Sequence, residues 1–556
     1  MELINNQNDL KYARYGDDQL AMLKSKASSN DLLAIRTLAD SYFYGRNGAP
    51  KDNFNAFNWY ETAALQNHPV DLYRMGNCYQ FGIGTRYDRD LAVSYYQKAA
   101  DQGYARAQYE MGVAYDYGVS VEKDPNKACE YYRIAATQGD AKAQCALGYN
   151  YELGIGGVEE NMEKAIELYT KSADQGYSYA QCNLGYFYDM GIGVEKDLNK
   201  AKELYELAAR QGHRRAMYNL GYFYEYGIGT EENKQTAASL YKASADQGYE
   251  YAQHAIGRFY LYGIGMEIDY DQAVHYFNLA SEQGNPRALC DLGFCYEKGY
   301  GVEQSYEKAI AYYQQASDKG NACAQCNLGY LYCNGIGVEK DPKKAIQYYQ
   351  MSADQDYDRA QFNLGWCYQY GIGTDIDGEK AISYYKLAVE QGHDLATYNL
   401  AYVYQHGIFV ERNIKEAIRL YEICAQHGDD DAQCCLGFIY AEDHEIPHDY
   451  EKAVAYYRQA IKKGNSNALC NLGDCYEKGH GVKQDYQIAV AYYQKSADKN
   501  NGCAQYSLGY CYENGWGVEK DLHKALEYYK LSMDNGDQDA KASYERLLKE
   551  LNQKDV

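Results

Sequence analysis

Tryptophan, proline and phenylalanine are scarce in this chain, at 3, 6 and 12 of 556 residues, while tyrosine is over-used at 67. A chain of this length would ordinarily hold roughly three or four globular domains. The bias runs evenly from end to end, which argues instead for one small unit copied many times. The sequence lacks any run of about 18 apolar residues, so no membrane insertion is expected. It also lacks an excess of basic charge: 55 Lys and Arg stand against 78 Asp and Glu, a net of −23. Such a chain repels phosphate backbones and anionic lipid surfaces, which excludes nucleic acid as a default partner. The opening Met-Glu-Leu-Ile-Asn-Asn-Gln has no basic segment before an apolar run. No signal peptide is therefore expected, and the expected compartment is the cytoplasm. The 17 cysteines are then expected as thiols.

Catalytic signatures are missing as well. Gly-Ile-Gly recurs with a helical period and without a βαβ setting, so it is not a dinucleotide fingerprint. The 11 histidines, among them His213, His393 and His480, are scattered over turns and helix ends. No Ser, Cys or Asp has a nucleophile context. No catalytic role, metal or cofactor is expected.

What is present is a period. A Leu-Gly pair or near equivalent recurs about every 36 residues, fourteen times, with its anchor at Leu38, Met75, Met111 and so on to Leu472 and Leu508. Tyr stands four residues after every anchor and Ala four before, with Asp71 the exception. This i, i+4, i+8 spacing predicts the core stripe of a helix A. A glycine pair such as Gly335 and Gly337 ends helix A. A capping residue then opens helix B: Asp52, Asp88, Asp124, Asn161, Asp197, Asn233, Asp269, Ser305, Asp341, Asp377, Asn413, Asp449, Asp485 and Asp521. Neither helix can bury its stripe alone, so neighbours must stack. In the twelfth copy Asp443 and Glu445 replace the glycines, which predicts a distorted or mobile turn. Ala540, Tyr544 and Leu548 continue the helix A core pattern past the last repeat, and a capping helix is expected over about Asp17 to Ser28. The expected layout is an N-terminal capping segment over 1–31, fourteen repeats over 32–537, and a C-terminal capping helix and tail over 538–556.

The run Ala324-Gln325-Cys326-Asn327-Leu328-Gly329-Tyr330-Leu331-Tyr332, continued by Gly335-Ile336-Gly337 and by Tyr348-Tyr349 in helix B, resembles a Sel-one-like repeat. That family is related to the tetratricopeptide class. The resemblance implies an all-α fold, a right-handed α/α solenoid of about fourteen 36-residue helix-turn-helix repeats with terminal capping helices. It also implies a scaffold or adaptor that binds other proteins. An effector acting on host trafficking or signalling proteins is the alternative, and an enzyme of unknown activity a remote one. In related solenoids the free face of helix A lines the concave groove. A secreted branch pairs cysteines between helix B and the next helix A; that pattern is absent here.

At 100° per residue, the positions two and five on either side of the anchor lie opposite the core stripe. The position two after is aromatic at Tyr149, Tyr186, Tyr222, Phe294, Tyr330, Trp366, Tyr402, Phe438 and Tyr510. One before the anchor stand Asn183, Asn219, Asn327, Asn363 and Asn399. Tyr and Trp give large contact area at low entropy cost, and an amide both donates and accepts, which suits a partner's backbone. Five after the anchor an acidic row (Asp116, Glu152, Asp189, Glu225, Glu297, Glu477, Glu513) would favour basic peptide segments. Against this stands the plainer reading, in which the aromatics pack between adjacent A helices, the Asn amides bond the next repeat and the charges are solvated. Six cysteines, Cys145, Cys182, Cys290, Cys326, Cys434 and Cys470, sit two before the anchor, on the same free face. Equivalent positions on stacked helices lie about 8–10 Å apart, too far for same-column disulfides. Cys290, Cys323, Cys326 and Cys333 share one face across two repeats, either as small apolar thiols or as part of a zinc site.

Overall fold

The computed structural model describes residues 19–554. Among the described residues there are thirty α-helices and no strand. The chain divides into two compact units, one ending at Asn285 and one beginning at Pro286, and each is by itself a stack of seven helix hairpins.

Local chemistry sets the hairpin. Helix A of the ninth repeat, Ala322–Asn334, ends at Gly335 with φ 72°. Gly337 follows at φ 68°, where a Cβ would fall 2.3 Å from Cβ of Tyr306 in the preceding repeat. The left-handed φ and the close approach both demand glycine. All fourteen residues expected to cap helix B accept a first-turn backbone N–H through their side chains.

The core differs from the expected stripe in one respect. The Ala and the anchor are buried, as at Ala324 and Leu328, but the Tyr four after the anchor is half-buried in every repeat except the first. The position three after takes its place, from Cys78 to Cys511. The displaced Tyr is held on its flank. Tyr332 stacks on Tyr348 at 5.7 Å, and Lys344 Nζ lies 4.1 Å above its ring.

Helix B supplies the largest buried side chains, a Tyr such as Tyr169, Tyr241, Tyr385 or Tyr529. Each lies against the glycine after the anchor and donates its hydroxyl to the residue five after it. Tyr169 donates to Glu152 at 2.6 Å, Tyr241 to Glu225 at 2.7 Å, Tyr385 to Gln369 at 2.6 Å and Tyr529 to Glu513 at 2.8 Å. Where Phe277 replaces the Tyr, Leu261 replaces the acceptor, and both are buried. A buried phenol requires an acceptor, and a buried phenyl does not.

Glutamines stitch the seams between repeats. Gln144 donates to Ala136 O of the preceding helix B at 3.4 Å and accepts from Gln175 at 2.8 Å. The pattern recurs at Gln181 with Gln211 and at Gln361 with Gln391. Asp71, the exception in the Ala column, is buried beneath Arg36 of the preceding repeat, whose Nε donates to it at 2.8 Å.

Helix Gln19–Ser28 precedes the first hairpin and buries Leu23 and Ala27; Asp17 and Asp18 of the expected capping helix lie outside the described residues. Helix Gln538–Lys554 follows the last hairpin. It buries Ala540 and Leu547, so Leu547 and not Leu548 carries the core contact, and Arg546 grips Glu513 at 2.7 and 2.9 Å.

The twelfth turn is redirected, as expected. Helix Asp430–Glu442 ends at Asp443 in an extended conformation, φ −75° and ψ 129°, where other repeats have left-handed glycine. Arg412 from the preceding repeat bonds Asp443 and, at 2.5 Å, Glu445. The altered turn opens a shallow cavity of about 680 Å³ beside Ile446, Pro447 and His448. Arg412→Ala should raise amide exchange across residues 443–448 while lowering stability by only about 1 kcal/mol, since Arg412 is exposed. Unchanged exchange in that segment would show that the clasp does not hold the turn.

Candidate protein-binding face

Seven of the nine aromatic residues two after the anchor are 38 to 49 % exposed: Tyr149, Tyr222, Tyr330, Trp366, Tyr402, Phe438 and Tyr510. Tyr186 and Phe294 are more covered, and the Arg215 guanidinium lies 5.3 Å from the Tyr186 ring. Several of the exposed rings are paired with a residue one turn on. Tyr222 meets Tyr226 at 4.6 Å, Trp366 meets Tyr370 at 4.4 Å, and Tyr402 meets His406 at 4.2 Å.

That second position, six after the anchor, has no place in the sequence pattern set out above. In the unit ending at Asn285 it forms an exposed apolar row, Phe81, Tyr117, Leu153, Met190, Tyr226 and Tyr262, with Tyr117 at 73 %. In the other unit it is mostly polar (Lys298, Asn334, Glu442, Lys478, Asn514). The signal was available as a column of large apolar residues, but it falls outside the positions two and five from the anchor that define the free face.

All five Asn residues are half-buried and face the preceding repeat. Asn327 donates to Cys290 Sγ at 4.0 Å and Asn363 to Cys326 Sγ at 3.5 Å. Asn183, Asn219 and Asn399 donate to the buried hydroxyls of Tyr169, Tyr205 and Tyr385. The acidic row is drawn inward too, by the helix B tyrosines already described, so that Glu225 is buried. Burial pushes the Asp189 and Glu477 carboxyls up from their ordinary values, with the bond from the neighbouring Tyr opposing. Three histidines cap A helices by accepting at Nδ1, His68 from Val70 N at 3.4 Å, His213 from Ala216 N at 3.2 Å and His393 from Ala396 N at 3.1 Å. Burial lowers His213 to about 4.

The cysteines depart from expectation. All six cysteines two before the anchor are buried, so this column lies in the seam between A helices rather than on the open face. The grouping of Cys290, Cys323, Cys326 and Cys333 separates. Cys290 and Cys323 share the Asn327 amide, at 4.0 and 3.8 Å, Cys333 packs on the core around Cys367 of the next repeat, and Cys326 faces Asn363. These neighbouring cysteines are diagonal, offset by 33 and 34 residues, not equivalent positions offset by 36. Among the described residues no group of three or more His, Cys, Asp or Glu is placed to hold a metal ion. One cleft does form on this face, about 240 Å³, where Phe438 meets Cys434, Cys470, Asn471, Asn501 and Cys503.

The Sel1 repeat pattern matches fourteen consecutive stretches, from 33–68 and 69–104 to 466–501 and 504–537. The solved structure of c5321, a protective antigen present in uropathogenic Escherichia coli strains and displaying an SLR fold, is 32% identical. That match covers 76% of this chain and 90% of that one, with a TM-score of 0.59. A Sel1 repeat protein from Oxalobacter formigenes is 33% identical over 44% of this chain and 96% of its own, with a TM-score of 0.40. No curated protein matches the chain.

Proposed function

The chain belongs to the Sel1 repeat family, and from that premise we propose that the A-helix face of each unit binds segments of other proteins. Solenoids of this class generally mediate protein–protein interaction, and the family is typically non-catalytic. The observation that carries the reading is the row of seven half-exposed aromatics, several backed by a second ring. A ring used only for packing would be covered. These keep an open face on a rigid helix, which is what an interface anchor needs. Tyr330, Trp366 and Tyr402, on three successive repeats, are the proposed centre in the second unit; Tyr149, Tyr186 and Tyr222 are its counterpart in the first. Phe294, Phe438 and Tyr510 extend the row. Asn183, Asn219, Asn327, Asn363 and Asn399 each turn amide N–H toward the fold, so their share in binding is through the amide atoms left over, the carbonyl oxygen first.

The partner segment we favour is basic, on the strength of the net charge of −23. We assign the protein to the cytoplasm as an adaptor, because all seventeen cysteines are free thiols. No helix among the described residues is long and apolar enough to cross a membrane.

The test is affinity capture with the intact chain, followed by titration of the captured partner's binding segment. Replacing Tyr330, Trp366 and Tyr402 together by Ala should weaken binding at least tenfold, about 1.4 kcal/mol. Unfolding should shift by about 3–5 kcal/mol in all, a little over half the full burial value for each of three rings, so affinities are compared where both proteins are folded. Equal affinity in the two proteins would sink the reading. Higher salt should weaken a basic segment's binding; no salt effect would remove the charge preference.

A further inference from the structure

The last residue of helix A forms a stripe in the first unit alone. Phe81, Tyr117, Leu153, Met190, Tyr226 and Tyr262 close the A helices of six consecutive repeats, each 49 to 73 % exposed. An apolar stripe of that extent on a solvated surface marks a contact site. Beyond each of these residues the chain turns back on itself. A Cβ on Gly118 would stand 3.2 Å from Lys123 Cβ, one on Gly191 3.3 Å from Lys196 Cβ, and one on Gly227 3.6 Å from Glu232 Cβ. The glutamate before each contact is thereby brought alongside the stripe. Glu122, Glu159, Glu195, Glu231 and Glu267 hold this place on five consecutive repeats, and all are exposed. Lys123 and Lys196 neighbour two of them, and Lys234 reaches Glu232 at 3.3 Å and the centre of the Tyr226 ring at 5.6 Å. Each of the five turns, from glycine to helix B cap, is still net negative.

We propose that this stripe docks a proline-rich basic segment of another protein, held as a polyproline II helix with one apolar side chain against each repeat. The stripe lies one turn from Tyr149 and Tyr222, so the site rests on the reading that the A-helix face binds protein segments and adds the partner's chemistry. Spacing selects the conformation. Equivalent positions on stacked helices recur about every 8–10 Å, and a polyproline II helix advances about 9.3 Å in its three-residue turn. Every third side chain of the segment thus falls in step with the repeats. An α-helix would need a groove to seat its width, whereas the stripe is one side chain wide and open. The rings of Phe81, Tyr117, Tyr226 and Tyr262 suit proline, which arrives with its backbone already set and loses little entropy on docking. Charge selects the remaining positions, where Lys or Arg meets the glutamate row. A second copy of this chain fits badly, because two stripes face to face would bring two acidic rows together in molecules of net charge −23.

The probe is a fluorescent synthetic peptide of Leu-Pro-Arg triplets, one triplet for each repeat of the stripe, titrated into the full chain and followed by anisotropy. Saturable binding is expected. It should weaken at least about tenfold when Gly replaces every Leu or Glu replaces every Arg, and at least about threefold when Gly replaces every Pro. On the protein, Tyr117→Ser, Leu153→Ser, Met190→Ser and Tyr226→Ser together should also cost at least about tenfold. Glu159→Gln, Glu195→Gln and Glu231→Gln, which leave the packing untouched, should weaken binding and flatten its salt dependence, and they decide the matter if the serine variant unfolds. The Tyr330→Ala, Trp366→Ala, Tyr402→Ala variant of the other unit should bind the peptide as the natural chain does, so a failure here leaves the aromatic row of that unit to its own test. Equal affinity for the Gly-for-Leu or Gly-for-Pro peptide, no loss in the folded variants, or dimerisation through the stripe in sedimentation would overturn the assignment.

Discussion

Tyr385→Ala should lower the stability of its hairpin by about 3–5 kcal/mol, the largest single-residue effect expected in this chain. Its ring is fully buried, and its hydroxyl donates to Gln369 at 2.6 Å. The ring also fills the space a side chain at Gly365 would need: a Cβ there would lie 2.6 Å from Tyr385 Cδ1. Truncation therefore removes three things together, the apolar burial, the hydrogen bond and the filler between helices A and B. Tyr385→Phe keeps the first and third and should cost about 1–3 kcal/mol, since Gln369 is left with a buried oxygen and no donor. Gly365→Val should destabilise by about 1–3 kcal/mol or more from the opposite side, by overpacking against a ring that cannot move away. Because stacked repeats unfold with their neighbours, the measurement is urea denaturation combined with segment-resolved hydrogen exchange. A loss below about 1 kcal/mol for the Ala variant would show that the helix pair does not depend on this ring.

Glu110→Gln should stabilise the protein at pH 8 by up to about 3 kcal/mol and do nothing at pH 4, given that a tenfold change in proton affinity is worth about 1.36 kcal/mol. Glu110 stands one before its anchor, where six other repeats carry Asn. Burial raises its carboxyl from 4.5 to about 7, with Lys142 of the next repeat opposing and Asp140 adding to the rise. The folded chain thus holds this proton more tightly than the unfolded chain does. Stability from this group is complete below the ordinary glutamate value and is lost as pH rises through about 7. Gln mimics the protonated acid at every pH, so the variant and the natural chain should diverge between pH 4.5 and 8. Parallel pH–stability curves would place Glu110 in water rather than among the neighbouring tyrosines.

Most of the fold is written in local chemistry, and local chemistry is legible in a sequence. The helix B caps from Asp52 to Asp521 and the glycine ends of helix A are readable because each acts within one turn of itself. What the helical period misplaces depends on the neighbouring repeat. Cys326 lies on the open face of an isolated helix, yet the next A helix closes over it, with Asn363 reaching its sulfur at 3.5 Å. Tyr332 belongs to the core stripe by angle, but its length carries the phenol out to Lys344 and leaves the deep site to Leu331. The acidic row reads as a surface charge pattern because its partners are tyrosines sixteen residues away on the other helix of the hairpin. The aromatic row is legible as a column of rings; what it binds is a matter of surface chemistry that no helical period encodes.

The glutamine stitching has a consequence for how such a chain changes length. Gln144, Gln181 and Gln361 hold the seam through bonds of one kind, the first two reaching back to the helix B before them and all three accepting from the helix B of their own hairpin. Removing one whole hairpin between two such seams, or doubling it, brings together glutamines with the same donors and acceptors. Insertion of a few residues within a helix would rotate that set out of reach. The molecule is thus ruled in steps of one hairpin, free to lengthen or shorten by whole steps over evolution and stiff against any fraction of one.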